Sequence, residues 1–349
     1  MNDASQIKTI PGCTIHENAS LLERTTFRVP ASAALLIDVH NADALPSLLE
    51  STVSPSENAL ILGEGSNVLF TRDWPGVVLA LRTRGIDIIE EHDDATLVRV
   101  AAGEHWNDFV HWSLDRGLLG LENLALIPGS VGATPIQNIG AYGTEVGEFV
   151  HAVAAWDRVT RQPVRLARDA CAFAYRDSLF KHAPGRYLIT AVEFLLPRQR
   201  ELRLDYSGVS EELAAMGIAQ PDARAVARAI TRLRTRKLPD PATTGNAGSF
   251  FKNPIVTQSQ AQALKLDHPD LPLWPVSDER AKLSAAWLIE SCNFKGLSDG
   301  YAGVSNQHAL VLINYGQATG AQIWGLAQRV QRAVLERFGT VLEPEPLVI

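Results

Sequence analysis

Three short stretches of this 349-residue chain carry side chains able to do chemistry, and they lie far apart in sequence. Tyr175-Arg176-Asp177-Ser178-Leu179-Phe180-Lys181 sets an arginine among polar neighbours. That placement suits a surface ion pair or the binding of an anion by the planar guanidinium. Gly245-Asn246-Ala247-Gly248-Ser249-Phe250-Phe251-Lys252-Asn253-Pro254 ends a glycine-bearing loop with a serine facing two aromatics. An acyl-transfer nucleophile is not indicated, because Phe251 stands where the G-x-S-x-G elbow needs glycine. A structural hydroxyl in a turn is the plain alternative. Leu342-Glu343-Pro344-Glu345-Pro346 holds two carboxylates between prolines, either as exposed charge near the terminus or as a carboxyl group for catalysis.

Two glycine loops offer a binding surface. Gly63-Glu64-Gly65-Ser66-Asn67-Val68 follows a strand pattern and begins like a dinucleotide fingerprint. Val68 replaces the third glycine and no helical pattern follows, so a Rossmann domain is not expected. The second loop, Asn123 to Thr144, contains no charged residue yet holds Pro128, Gly129, Gly132, Gly140 and Gly143 together with Gln137, Asn138 and Tyr142. Its glycines let main-chain N–H groups approach a ligand, and successive N–H groups can hold a diphosphate without cationic side chains. Such a loop suits a dinucleotide cofactor, or else a buried, turn-rich connection.

Strand and helix patterns must position these pieces. Strands are expected at Ala33 to Val39, Ala59 to Leu62, Leu97 to Ala102, Val150 to Trp156, Tyr187 to Leu195, Leu202 to Tyr206 and Ala309 to Ile313. Helices are expected at Asp43 to Ser51, from Glu104 to a stop at Gly117, at Asp222 to Lys237 with Asp222 as N-cap, at Leu283 to Cys292, and at Thr319 to Phe338 closed by Gly339. Arg224 to Lys237 alternates arginine with apolar residues and reads mostly as a solvated helix face. Leu238 to Asn253 reads as a loop leading into a last domain.

Composition narrows the classes. A net charge of −7 and a pI near 5.7 argue against nucleic-acid binding, which needs a basic surface. No stretch approaches the ~20 apolar residues of a membrane span, and Met1 to Gln6 lacks a leader pattern, so a cytoplasmic protein is expected. Cys13, Cys171 and Cys292 lie far apart, indicating neither disulfides nor a metal site, so any redox chemistry must use an organic cofactor.

Read as words, Ile61-Leu62-Gly63-Glu64-Gly65-Ser66-Asn67-Val68-Leu69, Gly120 to Gly132 and Pro135 to Gly143 closely resemble the family of UDP-N-acetylenolpyruvoylglucosamine reductases, from about residue 25 to residue 345. The resemblance implies an α+β chain. A vanillyl-alcohol-oxidase-type FAD-binding fold of two α/β subdomains (15–86 and 87–237, with 340–349 returning to the second) would carry a C-terminal substrate-binding domain (238–339). It further implies reduction of UDP-N-acetylglucosamine enolpyruvate by NADPH through FAD, in peptidoglycan precursor synthesis. The family's pattern places FAD contacts at Gly63, Gly65, Ser66 and Asn67, at Pro128, Gly129, Ser130 and Gly132, and at Gln137, Asn138, Gly140, Ala141, Tyr142 and Gly143. It assigns Arg176 to electrostatic stabilisation and Ser249 to proton donation. Glu345, ahead of Glu343, would be a protonated or proton-sharing carboxyl group. Substrate contacts fall on Tyr206, which marks the longer of the family's variants, and on Lys237, Asn253, Trp274 and His308. Trp274 stands where some relatives have Tyr, and His308 where some have Gln. Lys237 reads equally well as a helix C-terminal cation. A monomer is expected, with small molecules as its partners.

Overall fold

The computed structural model describes residues 10–50 and 59–349. The leader reading of Met1 to Gln6 and the last helical residue expected at Ser51 lie outside these residues. By packing the chain divides into two compact units. The first takes the described residues of Met1–Ala19, Ala33–Glu64 and Pro75–Arg234; the second takes Ser20–Ser32, Gly65–Trp74 and Thr235–Ile349. Packing thus groups residues 65–74 and 340–349 with the C-terminal part of the chain, a different division from the one expected above.

The first unit is built on two sheets. One has the strand order Cys13–Ser20, Ser32–Val39, Trp74–Leu81, Leu60–Leu62, the last two parallel. The other is antiparallel, in the order Gln162–Ala167, Val150–Asp157, Tyr187–Pro197, Ala95–Ala101, Ile86–Glu91. Its apolar face buries Val98, Val100, Val153, Val192 and Phe194 beneath the helices Trp106–Asp115 and Ala223–Lys237. The helical stripe foreseen from Trp106 to Leu114 is buried, with Phe109 5.0 Å from Phe194 between ring centroids. The Trp106 indole N–H donates to Leu124 O at 2.9 Å, which ties this helix to the start of the second glycine loop. Asp222 caps the other helix by accepting from the Ala225 N–H at 2.7 Å.

Leu202 to Tyr206 is not a strand. Leu202 and Leu204 do pack on the core. However, the Asn123 amide donates to Arg203 O at 3.1 Å, and the Arg203 guanidinium reaches Gly143 O at 2.6 Å, so side chains bind this segment where a ladder was expected.

In the second unit, a three-stranded sheet of Ile255–Thr257, Arg280–Leu283 and Leu273–Ser277 stands beside another of Ser298–Asp299, Ala302–Val304 and Leu312–Asn314. The run expected as one strand at Ala309 to Ile313 is shared. Its end pairs in the second sheet, while Val311 bridges Ser249. The helix Gly320–Phe338 buries the foreseen stripe, has Thr319 and Gln322 in a capping box, and stops at Gly339 with φ +60°. The buried Asn314 donates to Phe27 O and Arg28 O at 3.0 Å each and accepts from the N–H groups of Gly316 and Ala318 at 2.8 and 2.9 Å.

Among the described residues, no helix is long and apolar enough to cross a membrane, and no His, Cys, Asp and Glu cluster is placed to hold a metal ion. Asn314→Ala strands two buried carbonyls and two amides, and is expected to lower unfolding free energy in urea by about 2–4 kcal/mol. A change below about 0.5 kcal/mol would show the amide to be dispensable.

Candidate active site

In the first unit the second glycine loop folds back on the main chain that precedes it. Val131 N donates to Glu104 O at 2.8 Å, Gly132 N to Ala102 O at 2.9 Å, and Trp106 N to Gly129 O at 2.9 Å. A Cβ on Gly132 would lie 2.5 Å from the Ala102 Cβ, and one on Gly63 2.6 Å from the Ser130 hydroxyl, so both positions are closed to larger residues. Glu64 of the first loop pairs with His105.

Beyond Gly132 the loop is organised by Asn138, buried with φ +45°. It accepts from Gly147 N at 2.8 Å and donates to the Glu145 carboxylate at 2.7 Å and to Ala174 O at 3.0 Å. Gln137, Gly140, Ala141 and Tyr142 are half-buried and Gly143 is exposed, while Pro128 is exposed and Gly129 and Ser130 are buried.

Arg176 belongs to this assembly. Its guanidinium donates to Gly140 O at 2.7 Å, its carbonyl accepts from Lys181 Nζ at 2.8 Å, and its backbone is left-handed at φ +52°. Nearby, the Ser178 hydroxyl donates to Ile136 O at 2.5 Å. Leu126, Asn138, Tyr142 and Arg176 are all non-glycine residues at positive φ, a cost that proteins concentrate where function demands it. Tyr206 meets the loop edge-on, 5.1 Å from the Tyr142 ring centroid, and is half exposed.

The second unit holds the rest. Gly65, at φ +63°, has no room for a Cβ, which would fall 2.2 Å from Arg24 O, and its own carbonyl accepts from Thr26 N. Half-buried Ser66 follows. The Asn67 amide donates to Glu345 O at 3.0 Å, and Asn67 O accepts from Leu347 N at 3.0 Å.

Ser249 to Phe251 form a central rung. Ser249 bridges Val311 and Phe250 N donates to Leu310 O at 2.7 Å on one side. On the other side Glu345 N donates to Phe250 O at 2.8 Å, and Lys252 N to Glu343 O at 2.9 Å. Asn67, Ser249 and Glu345 are therefore neighbours on adjoining chain segments. Glu343 is exposed and its carboxylate pairs with Lys252 Nζ at 2.9 Å, whereas Glu345 is half-buried.

His308 sits at the same turn. Its Nδ1 accepts from Leu310 N at 3.2 Å, and burial pulls its pKa below the ordinary 6.5, helped by Lys237 and Lys295 and opposed by Glu290. Lys237 is exposed. Asn253 is occupied in accepting from Ala285 N at 3.0 Å, and the exposed Trp274 ring has Lys282 Nζ 5.9 Å from its centroid. Asn253 follows the Ser249 rung directly and ties it to the start of the helix Ala285–Ser291, whereas Trp274 lies on a hairpin strand.

Sequence reasoning missed Arg234. Arg224, Arg228, Arg232 and Arg236 recur every four residues on the exposed face, but Arg234 lies two residues on from Arg232, about 200° around the helix. It is half-buried and donates to Leu126 O at 3.3 Å. Burial lowers its pKa from the usual 12.5, opposed by Tyr142 and reinforced by the like charge of Arg176.

Glycine loops packed so closely that side chains are excluded, the second of them uncharged, fit a dinucleotide held by main-chain groups. The comparisons agree. Residues 33–162 match an FAD-binding domain, and residues 240–349 match the C-terminal domain of UDP-N-acetylenolpyruvoylglucosamine reductase. Reductases of that name from Xanthomonas oryzae pv. oryzae and Xylella fastidiosa (strain M12) are each 52% identical to this chain; the first spans 100% of this chain and 99% of its own length, the second 99% and 98%. A solved structure of UDP-N-acetylenolpyruvylglucosamine reductase from Thermus caldophilus shares the fold, with a TM-score of 0.65 at 24% identity over 96% of this chain and 98% of that one.

Fold and loops define a flavoprotein: a vanillyl-alcohol-oxidase-type FAD-binding fold joined to a C-terminal α+β domain. Within that class, the chain belongs to the UDP-N-acetylenolpyruvoylglucosamine reductase family.

Gly132→Ala forces the Ala102 main chain to shift, so FAD should be held at least about tenfold more weakly, near 1.4 kcal/mol. Gly325→Ala, on the last helix with open space around it, is the control. Equilibrium dialysis of FAD checks both, and equal retention by the two variants would overturn the account of the loop.

Proposed function

We propose that this chain reduces UDP-N-acetylglucosamine enolpyruvate to UDP-N-acetylmuramate with NADPH, as a monomer in the cytoplasm, for peptidoglycan synthesis. The observation that carries the reading lies within the second unit. The flavin-loop residue Asn67 is hydrogen-bonded to Glu345, and the Glu345 segment pairs with the Ser249 rung.

FAD, held by the two glycine loops, supplies the hydride relay between NADPH and the alkene. The net change adds a hydride to the terminal alkene carbon and a proton to the carbon bearing the carboxylate, while NADPH becomes NADP⁺. The protein's task is to manage charge and the proton. As electrons shift toward the carboxylate, that end of the substrate gains a second negative charge, and the Arg176 guanidinium stabilises it. Ser249 holds the proton that completes the reaction. An alcohol is a feeble acid in water, yet it suffices against a strongly basic enolate in a closed site. Glu345 is the carboxyl group that polarises the enolate; its half-buried position favours it over the exposed Glu343.

Tyr206, Lys237, Asn253, Trp274 and His308 are assigned to the nucleotide-sugar part of the substrate. Lys237 contributes a point charge for the diphosphate, and neutral His308 an N–H donor.

Ser249→Ala should leave anaerobic reduction of the flavin by NADPH within about twofold of wild type while slowing reoxidation by substrate roughly 10²- to 10⁴-fold. Stopped-flow absorbance at the flavin band separates the half-reactions. Equal losses in both would reject the proton-donor role.

A further inference from the structure

The hairpin that ends the second glycine loop makes a turn that its own residues do not favour. Gly140 pairs with Glu145 and Ala141 with Thr144, so Tyr142 and Gly143 form the two-residue turn, at φ +48° and +80°. Positive φ at both central positions is the pattern of a type I′ turn, where Asn, Asp and Gly are the usual residues. A tyrosine at the first position is strained, so contacts from outside the hairpin must hold the turn. Three side chains do so by donating to its carbonyls: Arg176 to Gly140 O at 2.7 Å, the Asn123 amide to Tyr142 O at 2.9 Å, and Arg203 to Gly143 O at 2.6 Å. The Asn123 amide also donates to Arg203 O at 3.1 Å, which ties two of the three supports together.

Arg203 grips the hairpin a second time. Its guanidinium forks onto the Glu148 carboxylate, Nη1 donating to Oε1 and Nη2 to Oε2 at 2.7 Å each. Glu148 Oε1 in turn accepts from the N–H of Glu145, the partner of Gly140 in the hairpin, at 3.1 Å. Burial alone would raise the Glu148 pKa. The Arg203 hydrogen bond, the Glu145 N–H and the charges of Arg203 and Arg200 outweigh it and bring the pKa below the ordinary 4.5, so the carboxylate is ionised at neutral pH. The two side chains are 40% and 32% exposed, and a pair this open to water adds little to stability. What a bidentate fork does supply is orientation. Arg176 depends on that orientation, because a Cβ on Gly140 would lie only 3.0 Å from its Nη1 and the hairpin therefore cannot shift without moving the guanidinium.

We propose that Arg203 is a positioning residue: braced by Glu148, it holds the Tyr142–Gly143 turn, and the turn holds the Arg176 guanidinium where charge develops in the substrate. This deepens the function proposed above and rests on it. In that function Arg176 acts when the substrate takes up hydride, not when NADPH reduces the flavin. Loss of Arg203 is therefore felt in the substrate half-reaction, and only while Arg176 is there to be positioned.

The test follows flavin absorbance of the FAD-loaded enzyme in anaerobic stopped flow, first on mixing with NADPH, then on mixing the reduced enzyme with saturating UDP-N-acetylglucosamine enolpyruvate. Wild type, Arg203→Met, Glu148→Gln, Arg176→Lys and the double variant Arg203→Met/Arg176→Lys are compared. Arg203→Met is expected to slow reoxidation about 10- to 100-fold, the effect of a slightly displaced stabilising group, with reduction by NADPH within about twofold of wild type. Glu148→Gln keeps the arginine but removes the charged fork, and should slow reoxidation about threefold. It takes the place of Arg203→Met, alone and combined with Arg176→Lys, if that variant does not fold. In the Arg176→Lys background, Arg203→Met should cost no more than about threefold further, because the group it positions is already altered. The full 10- to 100-fold loss in that background would overturn the proposal, since Arg203 would then act independently of Arg176. Equal losses in both half-reactions, or reoxidation at the wild-type rate in the folded variant, would overturn it too. A wild-type enzyme whose reduced flavin the enolpyruvate fails to reoxidise would instead reject the parent reading, before any variant is compared.

Discussion

A single buried amide, with its hydrogen-bonding capacity filled, fixes the geometry of the second unit. Asn314 has two N–H donors and a carbonyl with two lone pairs, and each finds a main-chain partner. Carboxylate, hydroxyl or apolar side chains cannot supply that combination. Its own N–H donates to Gly245 O, and Gly245 lies so near Phe27 that a Cβ would come within 2.3 Å of the Phe27 carbonyl. Phe27 in turn meets Phe250 edge-on at 6.0 Å. Ser249, between Gly248 and Phe250, is therefore positioned from below by an aromatic pair and from the side by a loop that only glycine allows.

The first unit uses the same device. Asn138 organises the loop around Arg176, Asn123 bridges Tyr142 O and Arg203 O, and Asn107 holds Leu126. Amides do this work at lower cost than charges, since a neutral group loses less solvation on burial than an ionised one. They also add no net field. Within Asn123 to Thr144 the polar contacts are made by amides and main chain, and charge enters from flanking residues, Arg176 on Gly140 O and Glu145 on Asn138.

Much of this was legible in the sequence, and the illegible part has a physical cause. The last helix carries its own stripe, cap and stop, so local signals suffice. The glycine loops were readable because glycine reports backbone geometry directly. Leu202 to Tyr206 misled because its alternation records burial of Leu202 and Leu204, while whether a ladder forms depends on Asn123, some eighty residues away. Asn314 stayed invisible for the same reason: its carbonyl partners at Phe27 and Arg28 lie 287 and 286 residues distant. Glu343 and Glu345 were indistinguishable by type and spacing, and their difference in burial, one exposed and one half-buried, exists only in three dimensions. Arg234 differs, because its helical phase was present in the sequence. A charged residue off the polar stripe of an amphipathic helix is a signal in itself.

His308, proposed above as a substrate contact, stands where a change of residue type would have to preserve a chemical role. In the family pattern some relatives have Gln at this position, a neutral side chain whose amide donates. A histidine duplicates that only if it stays uncharged and presents the correct nitrogen. Here Leu310 N–H donates to Nδ1, which places the ring proton on Nε2 and leaves that N–H as the donor. Burial disfavours the imidazolium, and Lys237 and Lys295 disfavour it further, with Glu290 only partly opposing them. The pKa therefore lies below its ordinary value, and the neutral donor form prevails at neutral pH. The two lysines that lower its pKa therefore help hold His308 in the neutral form whose Nε2–H is free to donate.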